Sequence, residues 1–383
     1  MSPGAEKGKG RGGSSGAFTE VDEHAMREAI ELARQGIEGV SPNPLVGAVV
    51  VRRGRVVGRG FHRRYGGPHA EVEAIRDAGE AARGATLYVT LEPCAHHGKT
   101  PPCSDAIIAA GIKRAIYASA DPNPMTHGKG PKALRAAGVE VAAGLLRREA
   151  ERLNRPFFHW IRTGRPWVLL KWAMSLDGRI ATPGGESKWI TGKDARSAGH
   201  RLRRRVDAII AGTETLLHDD PLLTPRPARG RRPLRVILDR AGRLPLELRL
   251  LAPDDRSGPR LYVASPRVPP ERLDAMSARG LETLVLPEKP DGLDLDYLLQ
   301  ELGERGVSQV LVEGGGELAG SLFARRQVDE IAAFLAPRLI GGREAPGPIG
   351  GPGSASLEEA LSLDDLHVEA FGADILIQGV VRR

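Results

Sequence analysis

Apolar residues recur at helical spacing in EVDEHAMREAIELARQG (Glu20–Gly36). Ala25, Ala29, Ile30, Leu32 and Ala33 form one stripe, and Gly36 closes it. The pattern then shifts to an unbroken apolar run. LVGAVVV (Leu45–Val51) with the following RRGRVVGRG predicts strand, turn and strand, with Arg53-Gly54 near the turn. GGPHAEVEAIRDAG predicts a helix with Pro68 near its first turn and Gly79 at its end. ATLYVTLEPC reads as a strand, CSDAIIAAG as a helix, and IKRAIYASADPNP as a strand running into a loop. The order αββαβαβ predicts a central sheet with helices on its faces.

A second alternation begins near Arg165-Pro166. PWVLLKWAMSLDGRIA is a strand and turn. Helix and strand patterns then alternate through ARSAGHRLRRRVDAIIAGTETLL, LRVILD, RLYVAS, LETLVLP, SQVLVEGGGELAGSLFARR and EIAAFLAPRLIGG. Such alternation predicts a largely parallel sheet. The expected organisation is a tail over residues 1–17, an αβα domain over 18–165 and a second α/β domain over 166–383. MSPGAEKGKGRGGSSGA has charge and glycine without the apolar stretch of a signal peptide, and is expected to be disordered. The two halves show no internal repeat, so different chemistry is expected of each.

The length of 383 residues agrees with two or three domains of roughly 150 residues. Nothing approaches the roughly 20 apolar residues of a membrane span. Two cysteines make no disulfide scaffold for a chain of this length, which points to a reducing, cytoplasmic compartment. The net charge of +7 is concentrated in HRLRRRVDA (His200–Ala208) and RPARGRRPLR (Arg226–Arg235). Composition alone favours solvated arginines there; the functional readings are a nucleic-acid face or a holder of small phosphorylated ligands. At 4% aromatic residues, the stacking platforms of single-strand binders are not evident.

Both cysteines fall in one stretch, TLEPCAHHGKTPPCSDA (Thr90–Ala106). Cys94 ends a predicted strand, Cys103 starts a predicted helix, and His69 starts another. One imidazole and two thiolates supply three zinc ligands and leave a fourth position open for water, whose pKa then falls to about 7. Helix N-termini also favour thiolate. Glu71, two residues beyond His69, is placed to take a proton from such a water and deliver it to a leaving amine. HAE followed by EPC matches the H-x-E and P-C pattern of zinc deaminases, although eight residues separate the cysteines instead of two. The competing readings are a helix-start histidine with two buried cysteines, or a closed structural site with His96 or His97 as fourth ligand. The closed site leaves Glu71 without a role. In the second half, SQVLVEGGGELAGSLF predicts strand, glycine turn and helix, a place where backbone N–H groups meet a pyrophosphate. Gly314-x-Gly316-x-x-Ala319 matches the dinucleotide fingerprint only loosely, with no acidic ribose partner at the expected distance.

The first half resembles the cytidine-deaminase-like superfamily. SPNPLVGAVVV, GFH, PHAEVEAI, TLEPCAHHGKTPPC and DPNP are similar to the deaminase domain of the bifunctional riboflavin-biosynthesis deaminase/reductases, where the long cysteine spacing with GKTPPC inside it is typical. The resemblance implies that Asn43, His62, His96, Lys99, Asp121 and Asn123 surround a pyrimidine and its ribose phosphate. In the second half, LLKWAMSLDGRIA, GESKWITG, HRLRRRVDAIIAGTETLLHDDPLLTPR and VLVEGGGELAGSLF resemble the reductase domain of the same family, whose fold is similar to dihydrofolate reductase. That resemblance implies NADPH contacts at Ala173, Trp189, Thr215, Asp219 and the segment Gly315, Gly316, Glu317, Leu318, Ala319, Gly320 and Ser321. It implies substrate contacts at Ser187, Arg203, Leu223, Arg226 and Glu313, so that one arginine of each basic patch becomes an anion holder.

Taken together, the family match implies two reactions. The first is zinc-dependent hydrolytic deamination of 2,5-diamino-6-(5-phosphoribosylamino)pyrimidin-4-one, with Glu71 shuttling the proton. The second is NADPH-dependent reduction of the ribosyl product to its ribityl form. The expected partners are small phosphorylated pyrimidines, with neither nucleic acid nor membrane, and a homo-oligomer is expected. Two rivals stand beside this reading. A nucleic-acid (tRNA) deaminase leaves the second half unexplained, and a non-catalytic binder of pyrimidine phosphate or NADPH has no need of intact His69, Glu71, Cys94 and Cys103. One departure from the family pattern is Thr126-His127 in DPNPMTHGKG, where small apolar residues are expected.

Overall fold

The computed structural model describes residues 18–227, 230–253, 257–290 and 292–382. The tail expected to be disordered, residues 1–17, lies outside them. Contacts divide the chain into two compact units: the chain up to Gly36 together with Leu45–Leu153, and Ile37–Pro44 together with Asn154–Arg383.

The first unit contains α1 (Glu20–Arg34), β1 (Gly47–Arg52), β2 (Arg55–Phe61), α2 (Ala70–Ala78), β3 (Thr86–Leu91), α3 (Cys103–Ala109), β4 (Arg114–Ser119), α4 (Lys129–Ala136), β5 (Glu140–Ala143) and α5 (Arg147–Leu153). Its sheet runs β2-β1-β3-β4-β5. The β2/β1 and β1/β3 pairs are antiparallel, and β3/β4 and β4/β5 are parallel. A capping box starts α1: Asp22 N donates to Thr19 Oγ1 at 3.2 Å, and Thr19 N returns the bond to the Asp22 carboxylate at 2.8 Å. The buried stripe of α1 is Ala25, Met26, Ala29, Ile30 and Ala33. Leu32, expected in that stripe, is partly buried and packs against its margin.

Close helix–strand contact positions α2. A Cβ at Gly60 of β2 would come within 2.4 Å of the Ala70 carbonyl, so only glycine lets α2 lie this near the sheet. The start of α2 is thereby pinned against β2.

The second unit contains α6 (Arg155–Thr163), β6 (Trp167–Ser175), α7 (Lys193–Arg205), β7 (Ala208–Gly212), α8 (Thr213–Asp219), β8 (Leu234–Leu238), β9 (Arg260–Ala264), α9 (Pro270–Ser277) and β10 (Glu282–Val285). It continues with β11 (Glu288–Lys289), β12 (Gly292–Leu293), α10 (Leu295–Glu304), β13 (Gln309–Val312), α11 (Gly316–Ala324), β14 (Glu330–Ala336), β15 (Leu363–Phe371) and β16 (Asp374–Val381). Nine strands run in the order β10-β9-β8-β7-β13-β6-β14-β16-β15. All pairs from β10 to β14 are parallel, and the final hairpin is antiparallel. Alternate residues feed two cores, Ile209 and Ala211 on one face and Ala208 and Ile210 on the other, as a sheet covered on both sides requires.

The contact division falls after Leu153, ahead of the 165/166 boundary expected from sequence. Helix α6 packs within the second unit: Trp160 Nε1 donates to the Gly303 carbonyl at 2.9 Å. Residues 37–44 also belong to the second unit, where Ser41 Oγ donates to Asp207 at 2.5 Å and Arg204 pairs with Glu38 at 3.0 Å. No described helix is long and apolar enough to cross a membrane.

Candidate functional site

Three local features of the first unit converge. His69 is the N-cap residue of α2, Cys94 follows β3, and Cys103 is the first residue of α3. Their ligand atoms all lie within 4.8 Å of one another. His69 Nδ1 stands 3.0 Å from Cys103 Sγ and 3.6 Å from Cys94 Sγ, separations that zinc bonds of about 2.0–2.3 Å to one ion can span. The Cys103 backbone N–H donates to Cys94 Sγ at 3.3 Å, placing a helix-start dipole against that sulfur. The cysteine–cysteine hydrogen bond brings the Cys94 thiol down to about 4, while the same bond and burial push Cys103 up. One imidazole and two sulfurs, one of them already biased to thiolate, are the donor set that zinc takes. Among the described residues neither His96 nor His97 joins this cluster, and both are exposed. The arrangement is the open three-ligand one.

Glu71 is 3% exposed on the first turn of α2. Burial is the largest influence on its carboxyl and pushes it up to about 7. His62 is buried edge-on to His69, with ring centroids 5.3 Å apart, and its Nδ1 is 2.9 Å from the Pro68 carbonyl oxygen. Burial lowers the His62 pKa. Thr100 Oγ1 lies 3.4 Å from His69 Nε2, which brings the loop carrying His96 and Lys99 onto His69. Asp121 and Asn123 lie in the loop after β4, with Asp121 accepting from Asn123 N at 2.9 Å and from Thr126 Oγ1 at 2.6 Å. The buried Glu92, two residues before Cys94, accepts from Gly128 N at 2.5 Å and fastens that loop. Asn43 falls in the segment that contacts assign to the second unit.

The second unit encloses a cavity of about 980 Å³ at the carboxyl ends of its parallel strands. β13 lies between β7 and β6 there, the reversal of strand order at which open α/β sheets bind ligands. Of the residues expected to hold cofactor, Ala173, Trp189, Thr215, Asp219, Gly315, Gly316, Glu317, Leu318 and Ser321 line it. Ser187, Arg203, Leu223, Arg226 and Glu313, expected to hold substrate, line it too. Ala319 and Gly320 turn away: Ala319 packs in the core, and Gly320 lies against Gly350. Gly315 caps α11 in an extended conformation, leaving the first N–H groups of a nine-residue helix directed into the cavity mouth.

Arg203 and Glu313 form a two-bond pair, Nε to Oε1 at 2.8 Å and Nη2 to Oε2 at 2.6 Å. Burial pushes Glu313 up, but the Arg203 charge and its hydrogen bonds outweigh burial and bring it to about 2. Asp220 and Leu223 hold left-handed backbones, φ 41 and 51, in the stretch beside Asp219 and Arg226. Side chains with φ in that region are strained, and such strain clusters at ligand-binding segments.

Lys171 and His200 are among the lining residues that sequence reasoning missed. Lys171 is the charge in the apolar run WVLLKWAMS, two residues before Ala173 and so on the same face of β6. Desolvation lowers its pKa. His200 lies one helical turn before Arg203 on α7. Burial first, then the charges of Arg203 and Arg226, bring it down to about 4. Both signals, a lysine in a buried strand and a histidine three residues before an expected anion-holding arginine, were present in the residue order.

The family described as "RibD C-terminal domain" matches residues 166–377, and "Cytidine and deoxycytidylate deaminase zinc-binding region" matches residues 19–119. The chain is 43% identical over 363 residues to the riboflavin biosynthesis protein RibD of Actinobacillus pleuropneumoniae, covering 95% of this chain and 96% of that one. It is 40% identical over 370 residues to the Escherichia coli protein of the same name, covering 93% of this chain and 98% of that one. Among solved structures, Acinetobacter baumannii RibD (form 1) superposes with a TM-score of 0.85 at 38% identity, covering 95% of this chain and 99% of that one. A diaminohydroxyphosphoribosylaminopyrimidine deaminase/5-amino-6-(5-phosphoribosylamino)uracil reductase from Thermotoga maritima gives 0.82 at 36% identity, over 94% and 99%.

Proposed function

Because this chain belongs to the RibD family of riboflavin biosynthesis proteins, we propose that its two units divide the family's two reactions between the two sites, deamination in the first and reduction in the second. The chain is a bifunctional deaminase/reductase with zinc and NADPH as cofactors. The observation that carries the residue assignment is the convergence of His69 Nδ1, Cys94 Sγ and Cys103 Sγ beside a buried carboxylate.

His69, Cys94 and Cys103 hold the zinc ion, which when bound acidifies a water at neutral pH. Glu71 takes a proton from the attacking water and passes it to the departing amine of 2,5-diamino-6-(5-phosphoribosylamino)pyrimidin-4-one, so water replaces the amine and ammonia leaves. His62, His96, Lys99, Asp121 and Asn123 form the pocket for the pyrimidine and its ribose phosphate, and Asn43 is carried with them from the family pattern. Lysine and histidine supply donors for a phosphate.

In the second unit NADPH supplies the hydride. The glycine turn and the start of α11 receive its phosphates, and Ala173, Trp189, Thr215 and Asp219 position the remainder. A cavity of about 980 Å³, at the upper end of ordinary ligand pockets, has room for a dinucleotide and a second ligand. Ser187, Leu223, Arg226 and the Arg203–Glu313 pair orient 5-amino-6-(5-phosphoribosylamino)uracil. The fork of Arg226 suits its phosphate, since Glu313 occupies that of Arg203.

Arg203 and Arg226 turn into this cavity instead of forming an outward track, which supports small phosphorylated ligands over nucleic acid. Two cysteines without a disulfide, placed as metal ligands by this reading, fit a reducing cytoplasm. A homo-oligomer belongs to the same reading. The test supplies the diaminopyrimidine phosphate with and without NADPH and identifies products. Deaminated ribosyl product without NADPH and ribityl product with it are expected; an unchanged pyrimidine amine in both would overturn the proposal.

A further inference from the structure

We propose that Tyr65 is a positioning residue of the deaminase site, holding the Lys99 ammonium ready for the substrate's phosphate on the face of its ring. The proposal rests on the reading of Lys99 as a substrate contact. Lys99 Nζ stands 4.0 Å from the centroid of the Tyr65 ring, within cation–π range. The next residue, Thr100, touches His69, so the backbone at Lys99 is tied to the metal-ligand cluster while its side chain folds back over the 61–67 loop. Gly66 makes that fold possible. Its backbone is left-handed, φ 73, and its position lies beside Lys99 Cδ.

Tyr65 is 47% exposed, so core packing does not account for an aromatic ring there. Among the described residues Lys99 has no carboxylate in ion-pair contact. A ring face orients an ammonium without neutralising it, whereas an aspartate or glutamate in the same place would compete with the incoming phosphate. The neighbouring Arg63 repeats the device, with its guanidinium 4.3 Å from the centroid of Phe61. The 61–67 loop thus supplies an aromatic face to each of two cations, its own Arg63 and Lys99 of the loop that Thr100 ties to His69. Such a rim suits a phosphate monoester carried on a pyrimidine.

The test measures deaminase KM and kcat, zinc content and the NADPH-dependent rate on the full chain for Tyr65→Leu, Tyr65→Phe, Lys99→Met and the Tyr65→Leu/Lys99→Met pair. Leucine keeps apolar bulk but removes the π face; phenylalanine keeps the face. Expected are a roughly two- to fivefold rise in KM for Tyr65→Leu, the size of one exposed cation–π contact, with kcat within about twofold. Zinc and reductase rate stay unchanged, and phenylalanine rescues KM. The double variant is no worse than Lys99→Met alone. An impaired Lys99→Met beside an unaffected Tyr65→Leu overturns the positioning role and leaves Lys99 as a substrate contact. So does a loss of zinc in Tyr65→Leu, or effects that add in the double variant. A Lys99→Met enzyme with unchanged KM overturns the underlying reading of Lys99, and the role of Tyr65 with it.

Discussion

Arg203 and Glu313, 110 positions apart, meet through two parallel hydrogen bonds of 2.8 and 2.6 Å on the wall of the second unit's cavity. One comes from α7 and the other follows β13, so the pair joins a helix to the strand at which the sheet order reverses. Their side chains are only 16% and 11% exposed. A buried ion pair depends on both members, because removing one strands the other without solvent or partner.

Glu313→Ala is therefore expected to destabilise the second unit by roughly 3–5 kcal/mol and to abolish reduction. Glu313→Gln, which keeps an acceptor for Arg203, should retain more stability than the alanine variant. Calorimetry of both variants checks the order. Equal melting temperatures for wild type and Glu313→Ala would show that the pair is energetically idle.

Glu71 and Cys103 make different losses. Glu71→Gln removes the proton carrier but no proposed ligand, so zinc should stay near one per chain while deamination falls by about a hundredfold or more. Cys103→Ala removes a proposed ligand, and zinc and deamination should disappear together. Both variants should reduce supplied ribosyl substrate at the wild-type rate, because that site lies in the other unit. Metal analysis alongside the two assays separates these outcomes. Full zinc in Cys103→Ala would remove it from the ligand set.

Gly320 tests the back of the cofactor segment. A Cβ there would stand 2.4 Å from the Gly350 carbonyl, and Gly350 N donates to the Gly316 carbonyl at 2.8 Å. The 347–350 backbone thus lies directly on the glycine turn and the first turns of α11. Gly320→Ala should push that loop away and weaken NADPH binding several-fold, with deamination untouched. Fluorescence titration of NADPH measures it; unchanged affinity would mean the loop yields without disturbing the turn.

The α/β class of both halves was legible in the residue order because apolar periodicity switches cleanly between helix and strand. The convergence of His69, Cys94 and Cys103 was legible because the chain's two cysteines and the HAE triplet flank predicted element ends. What spacing did not carry was which residue of an element faces inward. Leu32 was expected in the α1 stripe that Met26 fills, and Ala319 and Gly320 were counted with a cofactor segment whose other face they occupy. Lys171 and His200 went unremarked because a single charge in an apolar strand, or one histidine among arginines, acquires meaning only when the cavity is seen. The attachment of residues 37–44 to the second unit rests on contacts such as Ser41 with Asp207, 166 positions apart, which no local pattern encodes.

The same cavity sets an acid limit on stability. His200 ordinarily titrates near 6.5, but burial and the charges of Arg203 and Arg226 hold it at about 4 in the folded chain. Between those values the unfolded chain takes up a proton that the folded chain refuses, so stability falls as pH drops from about 6.5 to about 4. Glu313 adds a second window. Its ordinary value of 4.5 is lowered to about 2, so its contribution is present above 4.5 and is lost as pH falls toward 2. The two windows follow one another, so the melting temperature of the second unit should decline continuously from near neutral pH into acid, whereas Glu71 in the first unit, raised from 4.5 to about 7, gives that unit the opposite slope between those values. His200→Gln removes the first window only. The melting temperature of its second unit should lie closer to flat between pH 6.5 and 4, and should still fall below 4.5. A wild-type slope that persists unchanged through the upper window in His200→Gln would place that proton uptake on another group.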